Sequence, residues 1–402
     1  MRIVLLSTVL FGATSLAAKI YAASYAGTVT TLSPQRTNGS YELSMVAQTK
    51  DCGISPSWLT LDEEHGLMLC LNEAIGATNG SLTTFRVNSN GSLTTLDVLE
   101  TLTGPVMSAI YTIPSDPAKR FVAVAHYHAD MALRFSEGSA VTAYTLDPTS
   151  GLLNQTQQFI YEIPAPGPVA DRQDAPHPHG SIVDPTGRFV LVPDLGMDRI
   201  HIFKICPSSG LLQPQKPLLV KPGSGPRHAV FWTPKTGVVS TEDTILYLVS
   251  ELGNTLSSFK AHYSRNGLTF VKLQEKSTYG GNPAPSGSKV SGIQISPGND
   301  RIMVSNRGDA TFGEDNDSFA VFNCTTAHGN RAANLSFAGL FPAYGSYPRE
   351  FDINAKNGAI AVALQNSYEV ALVQWNEHTE SPGKLLAKKN LTGEIPAAIW
   401  GP

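Results

Sequence analysis

Charge is scarce in this chain. Only 15% of its 402 residues are Asp, Glu, Lys or Arg, and they leave a formal net charge of -4. No basic stripe is available for a nucleic-acid backbone or an anionic bilayer, so neither is expected as a partner. Long hydrophobic runs are missing beyond the N-terminus, and no later segment approaches the ~20 apolar residues of a membrane span. Cysteine is sparse, with four residues. No low-complexity linker divides the chain, and no sustained helical period competes for it. Turn chemistry is plentiful instead: 35 Gly and 27 Pro accompany 42% hydrophobic residues. That balance suits a structure of many tight turns around a sizeable core.

The N-terminus has the pattern of an export signal. Arg2 is basic, Ile3 to Phe11 is apolar, and Ser15-Leu16-Ala17-Ala18 offers small residues for cleavage before Lys19. The alternative is a buried first strand. The expected division is therefore a signal peptide over 1–18 and one domain over 19–402, secreted or held in a cell wall. Acceptor sequons at Asn38, Asn79, Asn90, Asn154, Asn316, Asn323, Asn334 and Asn390 agree with a eukaryotic secreted glycoprotein. Of the three possible pairings of Cys52, Cys70, Cys206 and Cys324, Cys52–Cys70 is preferred, because both fall in one strand-turn-strand segment. Cys206 and Cys324 end similar strands in different repeats and are expected free and buried.

A repeat runs through the chain. A small or polar residue precedes an apolar strand; then follow a turn rich in Asp, Pro, Gly or Asn, a second strongly apolar strand, a third strand, and a Gly-containing turn into a fourth. The clearest copy begins Gly180-Ser-Ile-Val-Asp-Pro-Thr-Gly-Arg-Phe-Val-Leu-Val-Pro. Others begin near Trp58, Ser108, His228, Gly292 and Glu350, at a spacing of roughly 50–70 residues that fits four strands per propeller blade. The ends supply a seventh copy. Lys19 to Leu32 reads as a second and third strand without a first, and Pro396 to Trp400 as a first strand alone. The predicted fold class is all-β, a seven-bladed propeller closed by N-terminal strands and one C-terminal strand. A six-bladed ring with an appendage and an open pair of sheets are the alternatives.

Within such a blade the start of the first strand and the end of the second lie on one face. Starts on that face include His177-Pro178-His179, Pro226-Arg227-His228 and Pro348-Arg349-Glu350; ends include Ser250-Glu251 and Asn306-Arg307. Charged groups gathered at a channel mouth are costly unless paired or functional. Several arginines there can clamp a carboxylate or similar oxyanion, with Glu251 and His179 as an acid/base pair. Each of these residues has an equally ordinary structural use, and Asp184, Asp194, Asp198 and Arg199 have the look of strand ties. His126-Tyr127-His128-Ala129-Asp130 resembles a metal cluster by composition, but no matching second cluster follows it, so no metal is expected.

The motifs His177-Pro-His-Gly, Asp184-Pro-Thr-Gly-Arg, Gly225-Pro-Arg-His-Ala-Val-Phe, Ser250-Glu-Leu and Tyr347-Pro-Arg, in that order, resemble the seven-bladed lactonase family. That family includes bacterial 6-phosphogluconolactonases and fungal carboxy-cis,cis-muconate cyclases. The resemblance implies catalytic roles for His179, Arg227, Glu251 and Arg307, and substrate contacts from Arg349, His228 and His177. It implies a small lactone or carboxylate substrate, either ring opening by a hydrolase or ring closure by an isomerase, and no cofactor. Export sits poorly with a sugar-phosphate lactone, an intracellular metabolite. A different class is therefore kept beside the enzyme: a surface glycoprotein whose propeller binds a glycan or a protein.

Overall fold

Each sequence repeat folds into one antiparallel sheet, because its second strand is apolar on both faces and must be covered on both. The computed structural model describes residues 14–15, 18–113, 116–127, 139–234, 241–325 and 334–402. Blades 1 to 6 span residues 56–101, 105–160, 182–219, 226–277, 289–342 and 348–390. Strands follow one another from the axis outward in each, and in blade 3 the fourth strand is split in two. The second strands Leu67–Asn72, Phe189–Asp194, Ile245–Ser250 and Ala359–Leu364 are buried at every residue. Outer strands such as Leu153–Ile160 instead alternate toward solvent.

Blade 7 joins the two ends of the chain, as the repeat pattern requires. Ala397–Gly401 is its innermost strand and pairs antiparallel with Lys19–Ser24, with Ile20 opposite Trp400. Thr28–Thr37 and Ser40–Thr49 follow outward, and Thr14–Ser15, within the expected signal segment, also pairs with Thr28–Thr37, Thr14 opposite Arg36. Trp400 is tied to blade 6 as well: its backbone N–H donates to Asp352 Oδ2 at 2.8 Å, and its indole N–H to the Asp352 carbonyl at 3.1 Å. Among the described residues seven apolar clusters are found, one between each pair of adjacent blades. The cluster between blades 6 and 7, with Ile20, Ala361, Leu372 and Trp400, and the one between blades 7 and 1, with Tyr21, Met68, Phe85 and Ala397, close the ring. A closed ring leaves no blade face open to water.

The turns explain themselves locally. Asp184 Oδ1 accepts from the backbone N–H groups of Arg188 and Phe189 at 2.8 and 2.7 Å, while Gly187 supplies a φ of 66°. Asp194 likewise accepts from the N–H groups of His177, Gly196 and Met197, and Asp198 from those of Gly223 and Gly225. These aspartates are strand ties.

Cys52 and Cys70 form a buried disulfide with Cα atoms 5.9 Å apart. Cys324 is free and buried, but Cys206 is half-exposed, contrary to expectation, because it leaves its strand for the turn toward Ser208. Of the sequons, Asn38, Asn79, Asn90, Asn154 and Asn390 are exposed. Asn316 and Asn323 are not: both are half-buried, and their side-chain amides donate to the Phe312 carbonyl and to Ser336 Oγ. A glycan on either nitrogen would replace one of the two amide hydrogens and compete with that bond. The Asn334 side chain and most of the expected signal segment lie outside the described residues. Among the described residues no helix is long and apolar enough to cross a membrane.

Candidate functional site

A proline followed by a β-bulge builds the rim. In blade 4 Pro226 pairs with Ser250 but His228 pairs with Val249, so Arg227 is an extra residue without a partner. Blade 6 repeats the device: Pro348 pairs with Leu364 and Glu350 with Ala363, leaving Arg349 extra. A bulge re-aims side chains, so that two consecutive residues serve one face. Arg227 and His228 thus come together, with Arg227 Nη1 3.3 and 3.4 Å from the two ring nitrogens of His228.

The end of the second strand in blade 4 then presents Glu251 to the same place. Its backbone N–H donates to the Gly225 carbonyl at 2.7 Å, which seats it beside the bulge. Three arginines from different parts of the ring meet this carboxylate. Arg307 Nη2 donates to Oε2 at 2.8 Å, Arg172 Nη2 donates to Oε1 at 2.7 Å, and Arg227 Nε lies 3.0 Å from Oε2. Arg227 is 1% exposed and Glu251 3%. Arg349 adds a fourth guanidinium: its Cζ lies 5.7 Å from the centre of the Tyr25 ring, and Nη2 lies 3.9 Å from Glu73 Oε2. Tyr25 donates its hydroxyl to the same Glu73 oxygen at 2.8 Å.

Aromatic rings form the neighbouring wall. The His177 ring stacks on Tyr127 at 4.2 Å, and Tyr127 meets His179 edge-on at 5.4 Å. His179 meets His228 edge-on at 5.0 Å, and His228 meets Trp58 at 5.5 Å. All seven residues expected at the site therefore lie on this rim. His179, Arg227, Glu251, Arg307 and His228 sit at its centre; Arg349 lies toward Tyr25, and His177 lies behind Tyr127.

The electrostatics separate the acids. Burial alone would raise the Glu251 carboxyl, but Arg307, Arg227 and Arg172 together outweigh it and hold it well below the usual range. Such a group neither gives up nor takes a proton near neutrality, so the acid/base role suggested for Glu251 does not fit its surroundings. It fits an anchor that sets three guanidiniums in place. Burial, then Arg227, hold both His179 and His228 well below the ordinary histidine value, so both rings are neutral at physiological pH.

Four further residues were not marked by motif. Arg172 belongs to the irregular loop over residues 165–176, whose position beyond strand ends was its one signal. Tyr127 and Trp58 are aromatic partners visible only in space. Glu350 follows Arg349 as His228 follows Arg227, a parallel in the sequence whose meaning lay in the bulge. His126 is a core residue: its Nε2 is 2.8 Å from Thr142 Oγ1 and its Nδ1 3.2 Å from the Thr103 carbonyl, and burial lowers it to about 4. His128 and Asp130, the rest of that suspected metal cluster, lie outside the described residues. Asp62, Glu64 and His65 come together elsewhere, but Arg120 already pairs with both carboxylates.

Comparison with known sequences matches residues 19–396 to the family of seven-bladed β-propeller lactonases. The chain belongs to the seven-bladed β-propeller lactonase family. A probable 6-phosphogluconolactonase of Arthroderma benhamiae is 31% identical over 260 residues, 64% of this chain and 59% of that protein. A 6-phosphogluconolactonase of Formosa agariphila is 27% identical over 338 residues, 83% of this chain and 85% of the relative. Among solved structures, the periplasmic gluconolactonase of Pseudomonas aeruginosa superposes with a TM-score of 0.74 at 22% identity, covering 95% of this chain and 98% of that one. That likeness bears on the fold alone. Within the lactonase propeller of this chain, the arginine-rich rim is the place where an anionic ligand would meet both guanidiniums and neutral imidazoles.

Proposed function

We propose that this lactonase-family protein hydrolyses a lactone bearing an anionic group, bound at the rim. The observation that carries the reading is the convergence of Arg227, Arg307 and Arg172 on the single carboxylate of Glu251. With Arg349 nearby, the four guanidiniums outnumber the three rim carboxylates Glu251, Glu73 and Glu350, so an incoming anion supplies charge the rim lacks. One guanidinium stabilises the oxyanion that forms when water adds to the lactone carbonyl; the others hold the substrate's phosphate or carboxylate. A sugar-acid lactone 6-phosphate is the substrate class that the named relatives favour. Ring closure of a muconate, drawn from the resemblance, is a different reaction: a carboxylate oxygen adds to an alkene carbon, the neighbouring carbon takes a proton and no water is consumed, while the substrate's carboxylates would meet the same guanidiniums.

Export remains part of this reading. It is supported by the apolar run over residues 3–11, the buried disulfide and the five exposed sequons. Secretion would favour an extracellular lactone over an intracellular sugar phosphate.

Acid release from glucono-δ-lactone, its 6-phosphate and a carboxylated muconolactone, with cis,cis-muconates tested for ring closure, distinguishes these substrates. Arg227→Lys keeps the charge but loses the planar fork, and is expected to lower kcat about 100-fold or more, the scale of a lost oxyanion contact. A chain inactive on the whole panel, yet retaining a glycan or protein with the rim mutated, would instead be a binding propeller.

A further inference from the structure

Glu350 is a buried carboxylate at the rim that the arginine cluster does not clamp. It is 6% exposed, and its Oε2 has no hydrogen-bond partner. The bulge at Arg349 points it from blade 6 across the inner strand of blade 5, toward blade 4. Gly292 lies beneath that path: a Cβ there would stand 3.2 and 3.3 Å from the two carboxylate oxygens. Across the gap Oε2 comes within 3.6 Å of His228 Nδ1. His228 in turn meets His179 edge-on, so an unclamped carboxylate, an imidazole and the centre of the rim lie in sequence.

We infer that Glu350 and His228 form a proton relay for lactone opening at this rim, an inference that rests on the hydrolase reading above. His228 is the member that faces the substrate; Glu350 is a positioning residue that acts through it. In the step, a water oxygen bonds to the lactone carbonyl carbon while one water proton passes to His228, whose other nitrogen gives a proton to Glu350. The ring C–O bond then breaks, its electron pair stays on the departing alkoxide oxygen, and the proton returns through His228 to that oxygen. The new carboxylic acid loses its own proton to solvent, so lactone and water give a hydroxy-carboxylate and one proton.

The surroundings of the pair suit this work. Glu350 is faced by Arg349 and Asp352 from its own strand and by Arg227 and His228 from blade 4; His179 and Trp58 reach it through His228. Burial raises its carboxyl to about 7, with Asp352 adding to the rise and Arg227 and Arg349 opposing it. A carrier poised near the working pH both takes and returns a proton.

The test uses the full chain with glucono-δ-lactone and its 6-phosphate, comparing wild type with Glu350→Gln and Glu350→Asp. Glu350→Gln should cut kcat 100-fold or more and remove the limb of the pH–rate profile near neutrality; Glu350→Asp should restore part of both. Carboxyl and imidazole NMR of the same proteins should show one glutamate and one histidine moving together in wild type, the glutamate signal being absent in Glu350→Gln. An unchanged rate and pH profile in Glu350→Gln overturns the relay while leaving the hydrolase reading intact. Absence of turnover by wild type on these two substrates and on the carboxylated muconolactone overturns the hydrolase reading. In that case a concerted NMR titration still supports the proton-sharing pair, and independent titrations overturn it.

Discussion

Glu251→Gln is the most informative single change to this rim. The amide keeps the shape of the carboxylate and removes its charge. At an effective dielectric near 20, a unit charge pair 4 Å apart attracts by about 4 kcal/mol. Three arginines at 2.7 to 3.0 Å therefore contribute on the order of 10 kcal/mol of gross attraction, set against several kcal/mol of desolvation for each ion. The depressed Glu251 carboxyl says that attraction wins. Removing the charge leaves Arg227, 1% exposed, beside Arg307 with their shared counter-ion gone. The expected loss is about 3–5 kcal/mol, read as a lower urea midpoint at constant slope.

The sign with pH follows from the same geometry. The folded carboxyl titrates below the unfolded value of about 4.3. Its stabilisation is therefore fully present above that value and lost as pH falls through the folded one. The gap between wild type and Glu251→Gln should stay level from pH 8 to about 5 and close in stronger acid. Phosphate or sulfate should stabilise the variant more than wild type, since an anion bound at the rim supplies the counter-charge that the arginines have lost; at 100 times its Kd it would return about 2.7 kcal/mol. A loss below about 1 kcal/mol, or a gap that persists in acid, would refute the idea that Glu251 anchors the arginines.

Arg172 is a quarter exposed, so Arg172→Ala should change stability by no more than about 1 kcal/mol, yet lower kcat/KM roughly 10- to 100-fold on an anionic lactone and less on a neutral one. Replacing Cys52 and Cys70 together by Ala opens a link between residues 18 apart and should cost about 3 kcal/mol, measured by urea unfolding. In protein made by a glycosylating host, peptide mass spectrometry should find higher glycan occupancy at the exposed Asn38, Asn79, Asn90, Asn154 and Asn390 than at the half-buried Asn316 and Asn323.

The ring was legible in the chain because its signals are local. The Asp184 turn needs only the six residues to Phe189, and the doubly apolar second strands announce that both faces are covered. The closing blade was legible for the same reason, since Lys19–Ser24 lacks an inner neighbour and Ala397–Gly401 lacks an outer one. Up-and-down strand order then placed Arg227, Glu251, Arg307 and His179 on one rim without any knowledge of contacts.

What those residues do to one another was decided only in three dimensions. The sequence offered Glu251 as an acid or base; three guanidiniums from distant segments make it a fixed anion. Arg172 reaches it from a loop whose reach no periodicity encodes. Glu350 and His228 are 122 positions apart, and only the bulges of blades 4 and 6, with the bare Cα of Gly292 between them, bring the pair to 3.6 Å. Strand and turn follow from neighbours in the chain, whereas proton affinity depends on burial and on the charges packed nearby, which only closure of the ring brings together.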